Sequence, residues 1–276
     1  SVIESSAFKK SGKKALRIGL INLMPTITDT EIQFARLLTG SGHPVELILI
    51  TPETCHSKTI PASYVDRFYN KWPSIINLPF DGIIITGAPV EHKPFHQVSY
   101  WKEMTGIMEW ARQKVPMTFY VGWSAQAAVW AFYSIPRHPL VSKRFGVYQH
   151  TVTAPDHPLM ADINTTMAVP VSRYMEIKQY YLPQDNSLKV LAESPQAGLC
   201  LLDDPANNAV YMFNHLEYDT QTLAAEYDRD IQVGRDTPIP VNYYPGNNPA
   251  YLPFNSWIED GRKLMTNWIS QRIKHQ

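Results

Sequence analysis

Apolar and polar positions follow a regular order along the first half of the chain. Apolar runs typical of strands buried on both faces occupy 17–24, 45–51, 81–85 and 117–121. Helical periodicity covers 28–39 and 97–114, and a run of small residues begins a further helix at 123. Alternating strands and helices favour an α/β fold, a doubly wound and mainly parallel sheet with helices on both faces and right-handed crossovers.

The start of the first helix and the segment after the second strand carry more specific signals. Thr28 with Glu31 three residues later predicts a capping box. The aromatic-rich stretch 52–79, with a helical piece at 65–69, is interpreted as an excursion that covers the sheet edge.

The second half of the chain is less regular. Its strand-like segments and two amphipathic helices are 146–153, 188–193, 197–202, 209–213, 222–233 and 257–273. Residues 203–208 predict a hairpin loop, and the proline-rich 237–254 predicts an extended surface wrap. With a polar lead-in at 1–14 and no internal repeat, we expect one domain over 1–276.

Composition narrows the function classes. The 276 residues are 44% hydrophobic and 12% aromatic, which is enough for a sizeable core. Twenty-five basic residues balance twenty-five acidic ones, so no global field favours nucleic acid or an anionic membrane. Cys55 and Cys200 lack partners at metal-ligand spacing, so no metal site is expected. We expect a cytoplasmic protein with small-molecule partners.

The strand at 117–121 breaks abruptly into Gly122-Trp123-Ser124, followed by small helical residues. This is the outline of a nucleophile elbow, in which a tight turn presents a side chain to substrate above a helix N-terminus. Gly122 stands at the turn and has no side chain. Ser124, two residues further, is where an elbow needs a small residue for packing, which makes it a weak candidate for a substitute nucleophile.

His215-x-Glu217 directly follows the predicted strand 209–213. Both the elbow and this pair would then lie at the carboxyl edge of the sheet, where α/β folds bind ligands. A histidine there can act as a base while a carboxylate orients its ring. The alternative interpretation is a surface or buried polar pair without a catalytic role.

Several further motifs carry a family resemblance over nearly the whole chain. They are Asn22-Leu23-Met24-Pro25, Thr86-Gly87-Ala88-Pro89-Val90-Glu91, Trp123-x-Ala125-Gln126-Ala127, Ser172-Arg173-Tyr174, His215-x-Glu217-Tyr218-Asp219 and Glu226-Tyr227-x-Arg229-Asp230. In these motifs the chain resembles the homoserine O-acyltransferases of methionine biosynthesis. The resemblance implies a class I glutamine amidotransferase-like fold and a homodimer. It also implies transfer of an acetyl or succinyl group from coenzyme A to the homoserine hydroxyl through a cysteine thioester, with no other cofactor.

The resemblance also assigns roles to individual positions. His215 matches the general base and Glu217 its orienting carboxylate, while the nucleophilic cysteine of the family falls on Gly122. The substrate-binding positions are Lys143, Ser172 and Arg229. Glu91 matches the position that favours acetyl over succinyl donors, and Ala88 and Trp123 match the oxyanion and elbow positions.

Because glycine cannot form a thioester, three hypotheses follow. The first is an acyltransferase of the homoserine type that lacks its nucleophile. The second is an altered enzyme with His215 as base and no acyl-enzyme: it transfers the acyl group directly, takes it from a carrier protein, or closes a ring within one substrate. The third is a non-catalytic binding protein. We expect His215 within side-chain reach of Gly122, and a cysteine at 122 to fit without a clash.

Overall fold

The computed structural model describes residues 14–55 and 61–274, without the side chains of 272–274, so nearly all of the predicted lead-in 1–14 lies outside the described residues. The strands are β1 Leu16–Ile21, β2 Val45–Thr51, β3 Asn70–Lys71, β4 Gly82–Ile85, β5 Thr118–Val121, β6 Arg137–Val152, β7 Thr166–Ile177, β8 Lys189–Ser194, β9 Gly198–Asp204 and β10 Ala209–Met212. The α-helices are α1 Ile27–Thr39, α2 Ala62–Phe68, α3 Trp72–Ile75, α4 Trp101–Lys114, α5 Trp123–Tyr133, α6 Thr222–Gln232 and α7 Ile258–Lys274.

All described strands join one ten-stranded sheet in the order β3-β2-β1-β4-β5-β10-β9-β8-β6-β7. The strands from β3 to β10 in this order run parallel, and the remaining pairs are antiparallel. The prediction of a doubly wound, mainly parallel sheet is therefore confirmed. The short strand β3 lies at the edge beside β2, where the aromatic-rich excursion was expected.

Helices cover both faces of the sheet, as expected. On one face Phe34 of α1 and Trp268 of α7 pack into a common core. On the other face Met104 of α4 and Ala125 of α5 belong to a second core. None of the helices in the described part of the chain is long and apolar enough to cross a membrane.

Much of a long hairpin was not predicted from the sequence. β6 begins at Arg137 rather than at 146, and β7 was not predicted at all. Both strands contain a proline, Pro139 and Pro170, and proline is disfavoured inside a sheet because it lacks the N–H donor. The hairpin tolerates them because β7 is the last strand of the sheet and the pairing is irregular after Pro139.

The predicted capping box is wrong. Helix α1 begins at Ile27, and Thr26 at its N-cap makes no side-chain capping bond. Glu31 instead accepts hydrogen bonds from the hydroxyls of Tyr64 at 2.8 Å and Tyr69 at 2.7 Å. A longer-range contact between α1 and the α2 segment has replaced the local one.

The proline-rich segment 237–254 contains no α-helix or strand, as predicted, but it is tied to the sheet. The N–H of Val147 donates to the Val241 carbonyl at 2.9 Å, and the N–H of Val241 donates to the Phe145 carbonyl at 3.0 Å. Gly146 lies between these bonds with φ of 138°, and a Cβ there would overlap the backbone of Val241.

We therefore expect Gly146→Ala to lower the free energy of unfolding by about 3 kcal/mol or more, since overpacking and a strained φ each cost roughly 1–3 kcal/mol. Denaturant unfolding measures this difference. Gly106→Ala is the matched control, because that glycine lies within α4 with nothing within 4 Å of its added Cβ; it should gain about 0.5–1 kcal/mol. Equal stability of Gly146→Ala and the parent protein would contradict the contact.

Candidate functional site

The site lies where three neighbouring parallel strands end. Gly122 follows β5, His215 follows β10, and Glu91 follows β4. Val121 and Met212 are register partners at the ends of β5 and β10. Adjacent parallel strands end at the same sheet edge, so the turns after them meet there.

Gly122 has the backbone geometry of an elbow. Its φ of 60° and ψ of −119° turn the chain sharply from β5 into α5, of which it is the N-cap. Ser124 is fully buried; its hydroxyl lies 2.6 Å from the Ile85 carbonyl oxygen and accepts from the Val121 N–H at 3.0 Å. Ser124 therefore holds strands together and is not presented to a substrate.

Neither cysteine replaces the thiol that the elbow lacks. Cys200 lies fully buried in β9, and burial raises its pKa to about 12. Cys55 lies in a loop, where burial and the nearby Glu103 raise its pKa to about 11. Both side chains are thiols at neutral pH, and only a thiolate is a strong nucleophile.

His215 and Glu217 form a buried pair. The Nδ1 atom of His215 lies 2.6 Å from a carboxylate oxygen of Glu217, and the imidazole stacks on Tyr218 with ring centroids 4.3 Å apart. Because the carboxylate can only accept, Nδ1 carries the proton and Nε2 of the neutral ring is the free base.

Two opposing effects set the pKa of His215. Burial disfavours the charged imidazolium and lowers the pKa, while the charge and hydrogen bond of Glu217, with smaller contributions from Glu226 and Glu91, raise it. The carboxylates prevail, so the pKa of His215 lies above its ordinary value of 6.5. The His215–Glu217 pair can therefore take up a proton and stabilise it on the imidazole.

His215 faces Gly122 directly, which confirms the prediction that it lies within side-chain reach. A Cβ added at 122 would lie 3.0 Å from Cε1 and 3.3 Å from Nε2 of the imidazole. The prediction that a cysteine would fit without a clash is wrong, because the His215 ring would have to move by a few tenths of an ångström.

The backbone N–H groups of Ala88 and Trp123 flank the elbow. Ala88 follows β4, Trp123 is the first residue of α5, and both line the pocket beside Gly122. Among the described residues, neither N–H has a hydrogen-bond acceptor. Free N–H groups beside a reacting carbonyl can stabilise an oxyanion.

The predicted substrate-binding residues Lys143, Ser172 and Arg229 meet two acidic residues, Glu226 and Asp230, in a charged cluster that we call the acceptor cluster. Lys143 Nζ lies 2.7 Å from Glu226 and 2.8 Å from Asp230, and the Ser172 hydroxyl donates to Glu226 at 2.6 Å. Arg229 lies 3.2 Å from Asp230 and is 52% exposed, so it can reach a ligand.

No role was predicted for Glu226 and Asp230, although both stand in a motif of the resemblance. The spacing of Glu226 was the available signal, because it lies three residues before Arg229 and four before Asp230, and residues three and four apart share one face of a helix. The long hairpin β6–β7 supplies Lys143 and Ser172, and α6 supplies the acidic residues. The pairing therefore became visible only in the fold.

The residues of the site line a pocket of about 160 Å³. Its lining includes Gly122, His215, the acceptor cluster and Glu91, while Glu217 lies behind the imidazole. Glu91 is half-buried, and burial, partly offset by His92, raises its pKa above the ordinary range.

Comparison with known proteins identifies the family of the chain. A model of the homoserine O-succinyltransferase family matches residues 1–276. The chain is 41% identical over 271 residues to the homoserine O-acetyltransferase of Chelativorans sp. (strain BNC1), covering 98% of this chain and 87% of that protein. It is 41% identical over 270 residues to the homoserine O-succinyltransferase of Pelagibacterium halotolerans, covering 98% and 88%.

Solved structures with a similar fold include glutamine amidotransferases. One from Thermotoga maritima has a TM-score of 0.59 at 9% identity, covering 95% of this chain and 100% of that one. Another, from Methylobacillus flagellatus, has a TM-score of 0.56 at 11% identity, covering 95% and 94%. The fold is therefore that of the glutamine amidotransferase-like proteins.

Proposed function

Because the chain belongs to the homoserine O-succinyltransferase family, we propose that it transfers an acyl group from a thioester to the hydroxyl of a homoserine-like amino acid. His215 acts as the base, and no acyl-enzyme forms. The observation that carries this proposal is the His215–Glu217 pair facing Gly122, an intact base at an elbow without a nucleophile.

The acceptor cluster supports an amino acid as the acyl acceptor. It offers cations from Lys143 and Arg229, carboxylates from Glu226 and Asp230, and the hydroxyl of Ser172, linked in a chain of ion pairs and hydrogen bonds. A zwitterion has a carboxylate for Arg229 and an ammonium group for Glu226, so its charges complement the cluster. The side-chain hydroxyl of such a ligand would extend towards His215, which lines the same pocket.

The reaction then follows from three contacts. His215 Nε2 removes the proton of the acceptor hydroxyl, whose oxygen attacks the thioester carbonyl. The N–H groups of Ala88 and Trp123 stabilise the oxyanion. The C–S bond breaks, and the imidazolium returns its proton to the departing thiolate. Glu217 stabilises the imidazolium throughout.

Acyl transfer is tested first, by whether the protein forms the ester at all. Purified protein is incubated with homoserine and acetyl-CoA, succinyl-CoA or an acetylated carrier protein, and O-acyl homoserine is measured by mass spectrometry. Product with any of these donors supports the transferase. If homoserine binds but none of the donors yields product, the non-catalytic alternative is favoured.

Glu91 supports an acetyl over a succinyl donor. We expect Glu91→Gly to raise the use of succinyl-CoA relative to acetyl-CoA by roughly ten-fold or more, since two carboxylates about 4 Å apart repel by about 1–4 kcal/mol. Competition between the two donors in one reaction measures the ratio. Because the pKa of Glu91 is raised, the parent's preference should weaken as the pH falls through that pKa. An unchanged ratio in Glu91→Gly would contradict the assignment.

The raised pKa of His215 predicts the pH dependence. Only the neutral imidazole accepts a proton, so kcat/KM should fall as the pH drops through a pKa above 6.5. Glu217→Gln removes the charge that raises this pKa, so the acidic limb should move to lower pH while the maximal rate decreases. A limb at the same pH in both proteins would show that another group titrates.

A further inference from the structure

His215 is oriented by the protein alone. Its Nδ1 is bound to Glu217 at 2.6 Å, its ring stacks on Tyr218, and its backbone N–H donates to the Pro170 carbonyl at 3.0 Å. None of these contacts involves the residues of the acceptor cluster. The base is therefore in position whether or not an amino acid is bound.

Gly122 makes the identity of the attacking hydroxyl depend on what enters the pocket. In an elbow with a thiol, the first acyl acceptor is part of the protein. Here position 122 has no side chain, His215 itself lines the pocket, and Ser124 is fully buried. The hydroxyl that attacks the donor must come from a bound substrate or from solvent.

We propose that this protein also hydrolyses acyl thioesters, with water as the acyl acceptor, whenever the amino-acid site is empty. The inference rests on the donor site of the proposed function, and it adds a second activity with its own product, a free carboxylic acid. The same groups serve both reactions.

The reaction balances without any further reactant. His215 Nε2 takes a proton from water as the water oxygen bonds to the thioester carbonyl carbon, and the N–H groups of Ala88 and Trp123 stabilise the oxyanion. The tetrahedral intermediate collapses with loss of the C–S bond. The proton on His215 passes to the thiolate, so one thioester and one water yield one acid and one thiol.

The polarity of the acceptor side favours access of water. The acceptor cluster consists of charged and hydroxyl groups, and Arg229 and the neighbouring Arg235 are 52% and 60% exposed. Charged groups open to solvent remain hydrated, so water reaches this end of the pocket until a ligand displaces it. A bound amino acid places its own hydroxyl at the base and excludes water, which predicts that the acceptor suppresses hydrolysis.

The experiment measures thiol release from acetyl-CoA without an amino acid, with acetate quantified in parallel. The parent protein should release thiol through many turnovers, and His215→Asn should be about 10²–10⁴-fold slower. His157→Asn is the matched control, because His157 pairs with the carboxylate of Asp203 at 3.2 Å outside the pocket. Its rate should equal that of the parent. Added homoserine should lower acetate formation and yield the ester.

The outcomes separate this inference from the proposed function. In one outcome the protein forms the ester with homoserine, but without homoserine it releases thiol no faster than buffer alone. This result would overturn the hydrolase activity and leave the transferase intact. Thiol release that persists in His215→Asn would also overturn it, because the base would not be involved. Failure of both ester formation and thiol release would reject both activities on this donor. Circular dichroism of each variant excludes unfolding as the cause.

Discussion

Replacing His215 with asparagine should lower acyl transfer by about 10²–10⁴-fold while the amino-acid substrate still binds, because the change removes a general base but leaves the acceptor cluster intact. Steady-state kinetics with homoserine and acetyl-CoA measure the first effect. Calorimetric titration with homoserine measures the second. The loss should appear in kcat rather than in the affinity.

Because His215 is buried, its replacement could also impair folding, and a second variant distinguishes the two causes of a lost rate. Glu217→Gln keeps the size of the side chain and should reduce the rate while shifting its acidic limb, which a merely unfolded protein would not show. His157→Asn, whose histidine also pairs with a carboxylate but outside the pocket, should retain the parent's rate. Full turnover in His215→Asn would exclude both the direct transfer and the mechanism of the family.

Gly122→Cys should convert the protein into one that becomes covalently acylated by acetyl-CoA, which the parent does not. The new thiol would lie beside His215 and the free N–H groups of Ala88 and Trp123, the arrangement that activates a cysteine and stabilises its oxyanion. Mass spectrometry of the intact protein should show one acetyl group added per chain. Added homoserine should then remove it.

The substitution also has a structural cost. The φ of 60° at position 122 is strained for a residue with a side chain, and the Cβ would press on the His215 ring at 3.0 Å. We expect a loss of about 1–3 kcal/mol in the free energy of unfolding. Gly122→Ala is the matched control, since it has the same strain without a thiol and should not be acylated. Acylation of the parent or of Gly122→Ala at an equal level would show that the attacking group lies elsewhere.

The sequence by itself determined the parallel half of the sheet and the turns that matter. Long apolar runs such as 81–85 are typical of strands buried between two helical layers, and every residue of β4 is buried. The break after 121 required an elbow, and Gly122 adopts its positive φ. His215, directly after a buried strand, had to lie at the same sheet edge. These features follow from local sequence patterns and from the general rules of α/β topology, so they can be predicted before any tertiary contact is known.

Only the tertiary structure decided the remainder. The hairpin β6–β7 forms despite Pro139 and Pro170, because pairing over its length outweighs the unfavourable local propensity of proline. Glu31 bonds to two tyrosines instead of capping its helix. The tight contact of 3.0 Å between a Cβ at position 122 and the His215 ring, where a free fit was expected, likewise depends on how two loops pack. Each outcome depends on contacts between residues that are distant in sequence, and the local sequence pattern does not show which of them meet.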